Sequence, residues 1–281
     1  MEKIKVLIPT DFSVQAEYAY LLVKRLAEKA DMDVHFLHVL NVPDTVTMDA
    51  QGTISTCGEI DVNFVKTQKD IAERKLENLR NLHGAQLSVH LIFGKTTTGI
   101  TQFAEKNAYD LIVMGTHGAV GLKERISGSE TQMVARASKV PVLSLMCDRS
   151  ELEVHKVLLV HDFAQAECED LRVLHRLIQA FGIEVHFLQI VRTDKPATVQ
   201  QVEADMQRFA ELNKIGKYIA HTIQDTDVEH GVVHFTQMHD MDMICIGTHG
   251  RGGWLHHSAT EKLINHMHKP LISFPLKNHK A

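Results

Sequence analysis

The chain is poor in the features that mark specialised classes of protein. Its 281 residues include one tryptophan, six prolines and four cysteines, and none of the cysteines forms a Cys-x-x-Cys pair. Cys57, Cys147, Cys168 and Cys245 are too few and too scattered for a disulfide scaffold, which leaves a reduced, cytoplasmic protein as the expectation. Basic residues do not predominate: 30 Lys and Arg stand against 35 Asp and Glu, a net charge of −5. A groove for nucleic acid would be basic, so that class of partner is not expected. Apolar runs long enough to span a membrane are missing, and Met1-Glu2-Lys3 leads straight into an apolar strand pattern rather than a signal peptide. What remains is ordinary globular composition, 44% hydrophobic and 23% charged, enough for real cores.

What the chain does have is an internal repeat. Residues 5–39 lie on residues 156–190 without a gap, so that Asp11 meets Asp162, Phe12 meets Phe163, and Val34-His35-Phe36-Leu37 meets Val185-His186-Phe187-Leu188. Further on, Gly115-Thr116-His117-Gly118 matches Gly247-Thr248-His249-Gly250. A period near half the chain predicts two copies of one fold, residues 1–147 and 153–281, with the boundary in the polar stretch 148–153.

Within the first copy, short apolar runs alternate with amphipathic stretches. Strands are expected at 4–8, 34–40, 87–93, 111–114 and 142–145. Helices are expected from an N-cap at Ser13 to about 29, and at 64–82, 99–106 and 131–138. The second copy repeats the order, with strands near 157–160, 185–190, 218–223, 243–246 and 271–274. Strands apolar almost throughout and alternating with helices predict a parallel sheet covered on both faces. Residues 41–62 show no clear period and suit either a mobile surface loop or a lid.

The chemistry concentrates in two places. Ile8-Pro9-Thr10-Asp11-Phe12-Ser13 follows the first strand, and Gly115-x-x-Gly118-x9-Gly128-Ser129 follows the fourth and leads into a helix. Glycines let backbone approach a ligand, and a helix start offers unpaired N–H groups and a positive dipole end, a combination that suits phosphate. Asp11 offers carboxylate oxygens that can accept hydrogen bonds or approach a cation; the alternative is that it only stabilises the turn. Ser127 and Glu130 stand at capping-box spacing, and Glu130 would put negative charge near any phosphate.

These residues resemble the universal stress protein family in its tandem form, with two family domains in one chain. The motifs that carry the resemblance are Pro9-Thr10-Asp11-Phe12-Ser13, His38-Val39 and the glycine loop. The resemblance implies two Rossmann-like α/β domains, each a five-stranded parallel sheet of order 3-2-1-4-5 with helices on both faces. It implies ATP or a related adenine nucleotide between the ends of strands one and four, where strand order reverses, and leaves open a Mg or Mn ion at its phosphates. Pro9, Thr10 and Asp11 would surround the adenosine, and Val39 would meet adenine through its backbone. Met114 belongs to the same site. Gly115, Gly118, Gly128 and Ser129 would surround ribose and phosphates, with Thr131 beside them and His117 as a turn or binding residue.

The second copy departs from the pattern. His161 and Val160 replace Thr10 and Pro9, and His257-Ser258 replaces Gly128-Ser129. Thirteen positions separate Gly118 from Thr131, but ten separate Gly250 from Thr260. A side chain in place of glycine, on a shorter loop, predicts that the second copy is no ATP site. The 19 histidines lack metal-ligand spacing, there is no Gly-x4-Gly-Lys-Ser/Thr, and no nucleophile elbow is present. Turnover beyond slow ATP hydrolysis is therefore not expected. The reading is a nucleotide-dependent regulatory or interaction module in a stress response. The alternative is a dimerisation or interaction protein that binds no nucleotide. In either case the resemblance implies that the last strands join the halves as an intrachain pseudo-dimer, with a homodimer left open.

Overall fold

The computed structural model describes residues 3–43, 45–49, 53–57, 61–84, 87–116, 130–165, 169–193, 197–247, 259–260, 262–264 and 267–275. In the first half the strands are β1 (Ile4–Pro9), β2 (Met32–Leu40), β3 (Val46–Met48), β4 (Ile54–Thr56), β5 (Ser88–Phe93), β6 (Leu111–Gly115) and β7 (Val142–Leu145). Its helices are α1 (Val14–Ala27), α2 (Val62–His83), α3 (Thr96–Lys106) and α4 (Glu130–Ala137). The second half has strands β8 (Lys156–Val160), β9 (Glu184–Arg192), β10 (Ile219–Asp225), β11 (Met243–Gly247) and β12 (Leu271–Phe274). Its helices are α5 (Arg172–Phe181), α6 (Val199–Leu212) and α7 (Val228–Met238).

One ten-stranded sheet runs β10-β9-β8-β11-β12-β7-β6-β1-β2-β5. It is two five-stranded parallel sheets of order 3-2-1-4-5, as the resemblance implied, joined at their last strands. Those strands, β7 and β12, pair antiparallel, with Leu143 opposite Ile272 at the centre and Ser144–Leu271 and Val142–Ser273 on either side. The seam is buried and mainly apolar, with two reciprocal hydroxyl bonds: Ser144 Oγ donates to Leu271 O at 3.2 Å and Ser273 Oγ to Val142 O at 3.3 Å. Intrachain pseudo-twofold symmetry follows from that reciprocity.

Because parallel strands are buried on both faces, each face of the sheet carries a core that crosses the seam. On one side Phe36 and Leu22 share a cluster with Phe163, Phe187 and Phe209; on the other Leu37 and Val134 share one with Leu188, Val232 and Leu263. Polar ties cross too: Arg176 reaches Asp110 Oδ2 at 3.4 Å and Lys3 O at 3.2 Å, and Arg25 Nε donates to Leu152 O at 3.1 Å. α1 starts where the sequence predicts, since Ser13 Oγ accepts from Ala16 N–H at 3.3 Å.

Two expectations need correction. Residues 41–62 are not structureless: β3 and β4 form an antiparallel hairpin with Val46 opposite Thr56 and Met48 opposite Ile54. Val46 and Ile54 pack with Val42 and Val65 in a small cluster of their own, so the described part of this segment has a core. The gapless overlay of the copies also fails locally. A 3₁₀ turn (Phe163–Gln165) ends at the position where α1 would begin, and α5 begins only at Arg172. Ala164 replaces the capping hydroxyl of Ser13, which removes the start signal.

Candidate functional site

The carboxyl ends of β1 and β6 flank the point where strand order reverses in the first half. Residues of β1 alternate in direction. Thr10 N–H bonds Leu37 O on β2 at 2.8 Å, whereas Lys5 O accepts from Asp110 N–H on the β6 side at 2.9 Å. Pro9 shares the direction of Lys5, so the donor that proline lacks is one that would face β6. The ladder records the consequence. Val6 pairs Leu111 and Leu7 pairs Ile112, and the pairing stops there. In the second half, where Val160 replaces Pro9, β8 and β11 stay paired through Leu159–Cys245 and Val160–Ile246. At the switch point the first ladder ends two residues short of the second.

The turn after β1 is held by its own side chains. Phe12 adopts φ +68°, the left-handed region that non-glycine residues seldom occupy. Thr10 Oγ1 accepts from Phe12 N–H at 3.0 Å, and Asp11 Oδ1 accepts from Ser13 N–H at 2.9 Å. The second Asp11 oxygen takes no hydrogen bond among the described residues, and the side chain is exposed. Asp11 therefore does the turn's work with one oxygen and keeps the other available. Beyond Leu37, β1 no longer pairs with β2, and the 38–40 stretch is bounded in the sheet by β5 alone. His38 Nδ1 approaches Thr10 O at 2.7 Å, its ring lies 4.7 Å from that of Phe12, and Lys75 Nζ sits over Phe12 at 5.0 Å. His38, Phe12 and Lys75 thus wall the turn, an arrangement that only strand register and the packing of α2 bring about.

Several expected site residues come together here. Pro9, Thr10, Asp11, Met114, Gly115 and Thr131 gather around the ends of β1 and β6. Val39 lies one strand away, its side chain buried against α3, where a β-carbon at Gly99 would meet Val39 Cγ1 at 3.0 Å. Its side chain is thus a core element, and only its backbone is left for a ligand. Gly115 has a structural reason to be glycine that needs no ligand: a β-carbon there would lie 2.1 Å from the carbonyl oxygen of Gln15 in α1. Thr131 is buried and donates to Gly115 O at 3.0 Å, which ties the start of α4 to the end of β6. Glu130 Oε1 accepts from Thr97 Oγ1 in the first turn of α3, so its carboxylate is engaged across the site's rim. His117, Gly118, Gly128 and Ser129 lie outside the described residues, as do Gly250, His257 and Ser258 in the second half.

The equivalent ground in the second half is filled. His161, at the place of Thr10, is buried against Phe209 with ring centroids 4.7 Å apart and has Glu169 Oε1 3.9 Å from its Nε2. Phe163, at the place of Phe12, is fully buried among Phe187 and Phe209. Two bulky rings thus stand in the second half where the first has Thr10 and the partly buried Phe12. Among the described residues there is no group of three or more His, Cys, Asp or Glu able to hold a metal ion, and no helix long and apolar enough to cross a membrane.

Comparison with known proteins agrees with the architecture. The model of the universal stress protein family matches residues 4–145. Universal stress protein MJ0577 of Methanocaldococcus jannaschii is 30% identical over 149 residues, covering 50% of this chain and 92% of its own length. Universal stress protein MJ0531 of the same organism is 29% identical over 147 residues, covering 52% of this chain and 84% of its own. A solved universal stress protein from Archaeoglobus fulgidus shares the whole fold: TM-score 0.71 at 18% identity, covering 98% of this chain and 97% of that one. With a family model matched over half its length, a relative of 30% identity and the 3-2-1-4-5 sheet in both halves, the chain belongs to the universal stress protein family.

Proposed function

We propose that this stress-response family member binds ATP or a related adenine nucleotide in its first half, between the ends of β1 and β6. Binding there makes the chain a nucleotide-dependent regulatory or interaction module. The functional units divide as residues 1–147 and 153–281, and the second serves as a structural partner with no nucleotide of its own. The observation that carries this reading is the contrast at the switch point: the β1–β6 ladder ends at Leu7–Ile112, whereas the β8–β11 ladder runs on to Val160–Ile246.

The chemistry of the first site suits a nucleoside. Asp11 has one carboxylate oxygen for ribose hydroxyls or the adenine amine, and the 38–40 backbone borders the opening for the base. The glycine loop that follows β6 would supply N–H groups to the phosphates, and a Mg or Mn ion would offset the charge of Glu130 there. The reading is binding that biases a conformation or a partner contact.

Titration calorimetry with ATP on the full chain is the test. One nucleotide per chain is expected, and Gly128→Val, checked for folding by circular dichroism, should weaken it by at least ~1.4 kcal/mol, a tenfold change. A stoichiometry near two, or unchanged affinity in a well-folded Gly128→Val variant, would overturn the assignment.

A further inference from the structure

At the end of the sheet opposite the switch-point site, both halves carry the same polar device. In the first half His35 on β2 and His90 on β5 stack with ring planes 7° apart, and His35 Nδ1 lies 3.0 Å from His90 Nε2. In the second, His186 on β9 and His221 on β10 stack with planes 3° apart, and the same two nitrogens are 2.9 Å apart. A carboxylate two residues before the first ring completes each set. Glu184 Oε1 is 2.8 Å from His186 Nε2. Asp33 Oδ2 is 3.1 Å from His35 Nε2, at ion-pair distance but too oblique for a hydrogen bond. The nucleotide-end motifs of the two copies have diverged, whereas the paired rings recur in both.

Its chemistry follows from proton counting. With its Nε2 proton directed at the carboxylate, His186 has only Nδ1 left to accept, so His221 Nε2–H must donate between the rings. A first added proton goes to His221 Nδ1 and leaves the inter-ring bond intact. A second has to take His186 Nδ1, the acceptor itself, and would set two cationic rings against each other at hydrogen-bond distance. In the first pair no hydrogen bond fixes His35 Nε2, and the Asp33 carboxylate 3.1 Å away favours the same tautomer by its charge alone. These rings bridge β2 to β5 and β9 to β10, and β5 and β10 are the outermost strands of the sheet. Each is therefore fastened on one side only.

The surroundings make proton uptake costly. Burial, His35 and Lys5 hold His90 below the usual imidazole range; burial, His186 and His239 do the same to His221. The other charged or titratable groups facing the first pair are Asp33 on β2 and Tyr109 before β6, whose hydroxyl lies 3.5 Å from His90 Nε2. Phe103 of α3 adds an apolar wall. The second pair faces Glu184 and His239 after α7, with Phe235 as the wall. A ring whose folded pKa is lowered contributes full stability above the ordinary histidine value of about 6.5. That stability is lost as pH falls through it, because the open chain then binds more protons.

We propose that the two histidine pairs are acid-responsive latches: each holds an outer strand while it carries no more than one proton, and the second proton releases it. The test uses the full-length protein. Side-chain ¹H–¹⁵N spectra from pH 8 to 4.5 should show each pair titrating in two separated steps. Amide exchange in β5 and β10, corrected for its intrinsic pH dependence, should accelerate about tenfold over β1 and β8 between pH 7 and 4.5. In the double variant His90→Gln, His221→Gln the glutamine amide keeps a donor toward the partner ring but cannot titrate, so the acid-specific acceleration should vanish. Four rings titrating in single independent steps would overturn the proposal. So would outer strands exchanging no faster than inner ones, or an acceleration that survives in the double variant. Should that variant not fold, the two wild-type measurements decide alone.

Discussion

The space above the α-carbon of Gly115 is taken by the backbone of Gln15. A β-carbon would sit 2.1 Å from the Gln15 carbonyl oxygen and 2.4 Å from its carbon, contacts that no rotamer change relieves because both partners are main chain. α1 thus packs directly on the end of β6, and the glycine that begins the nucleotide-like motif is first a packing residue. Gly115→Ala should destabilise the protein by ~1–3 kcal/mol, the usual cost of forcing extra volume into a filled site. Urea denaturation read by circular dichroism checks this; an unchanged midpoint would mean that α1 shifts freely.

Across the seam, Ser144 and Ser273 do the same job for opposite halves. Both are buried, and each hydroxyl bonds a carbonyl of the strand facing it. Ser144→Ala and Ser273→Ala should each cost about 1 kcal/mol, the typical net worth of one such bond. Near-equal losses in thermal or urea melts would reflect the pseudo-twofold relation. Negligible loss in both would mean that the ladder and apolar packing hold the seam alone.

The buried thiol of Cys245 gives a probe of global opening. Burial pushes its pKa up to about 12, so the reactive thiolate is scarce at neutral pH, and the side chain is 1% exposed on β11. Cys57 beside the β3–β4 hairpin is exposed. Iodoacetamide at pH 8 should modify Cys57 within minutes to hours and reach Cys245 only when urea unfolds the sheet. Peptide mass spectrometry separates the two sites, and native-state labelling of Cys245 would contradict the packing of β11.

Much of the fold was legible because parallel strands announce themselves as short apolar runs ended by turn residues. Ile4–Pro9 and Val142–Leu145 are such runs, and the strand order followed from the family resemblance. The hairpin at Val46–Met48 and Ile54–Thr56 escaped notice because three-residue strands carry no measurable period. Around the candidate site, Pro9, Asp11 and Gly115 stood out by residue type. His38 against Thr10, Lys75 over Phe12 and Thr97 on Glu130 did not, since each depends on register or helix packing between distant segments. The paired rings of His35 and His90 were hidden for the same reason: they stand 55 positions apart in the sequence.

Pro9 is the residue on which the asymmetry between halves turns. Its direction in β1 aims the missing N–H at β6, and the ladder ends two residues earlier than in the second half, where Val160 supplies that donor. Pro9→Val restores the donor in a sheet already built to receive it. If the strands then zip to the length seen in β8 and β11, the added hydrogen bond should contribute ~0.5–1.5 kcal/mol to stability. Closing the strand ends should at the same time narrow the opening beside Asp11 and lower ATP affinity by about tenfold or more, ~1.4 kcal/mol. Calorimetric titration and urea melts on the same preparation read both effects. A variant that gains stability yet binds as wild type would show that the opening at Pro9 is not where the nucleotide enters. One that loses both would show that proline's rigidity, rather than its missing donor, shapes the turn.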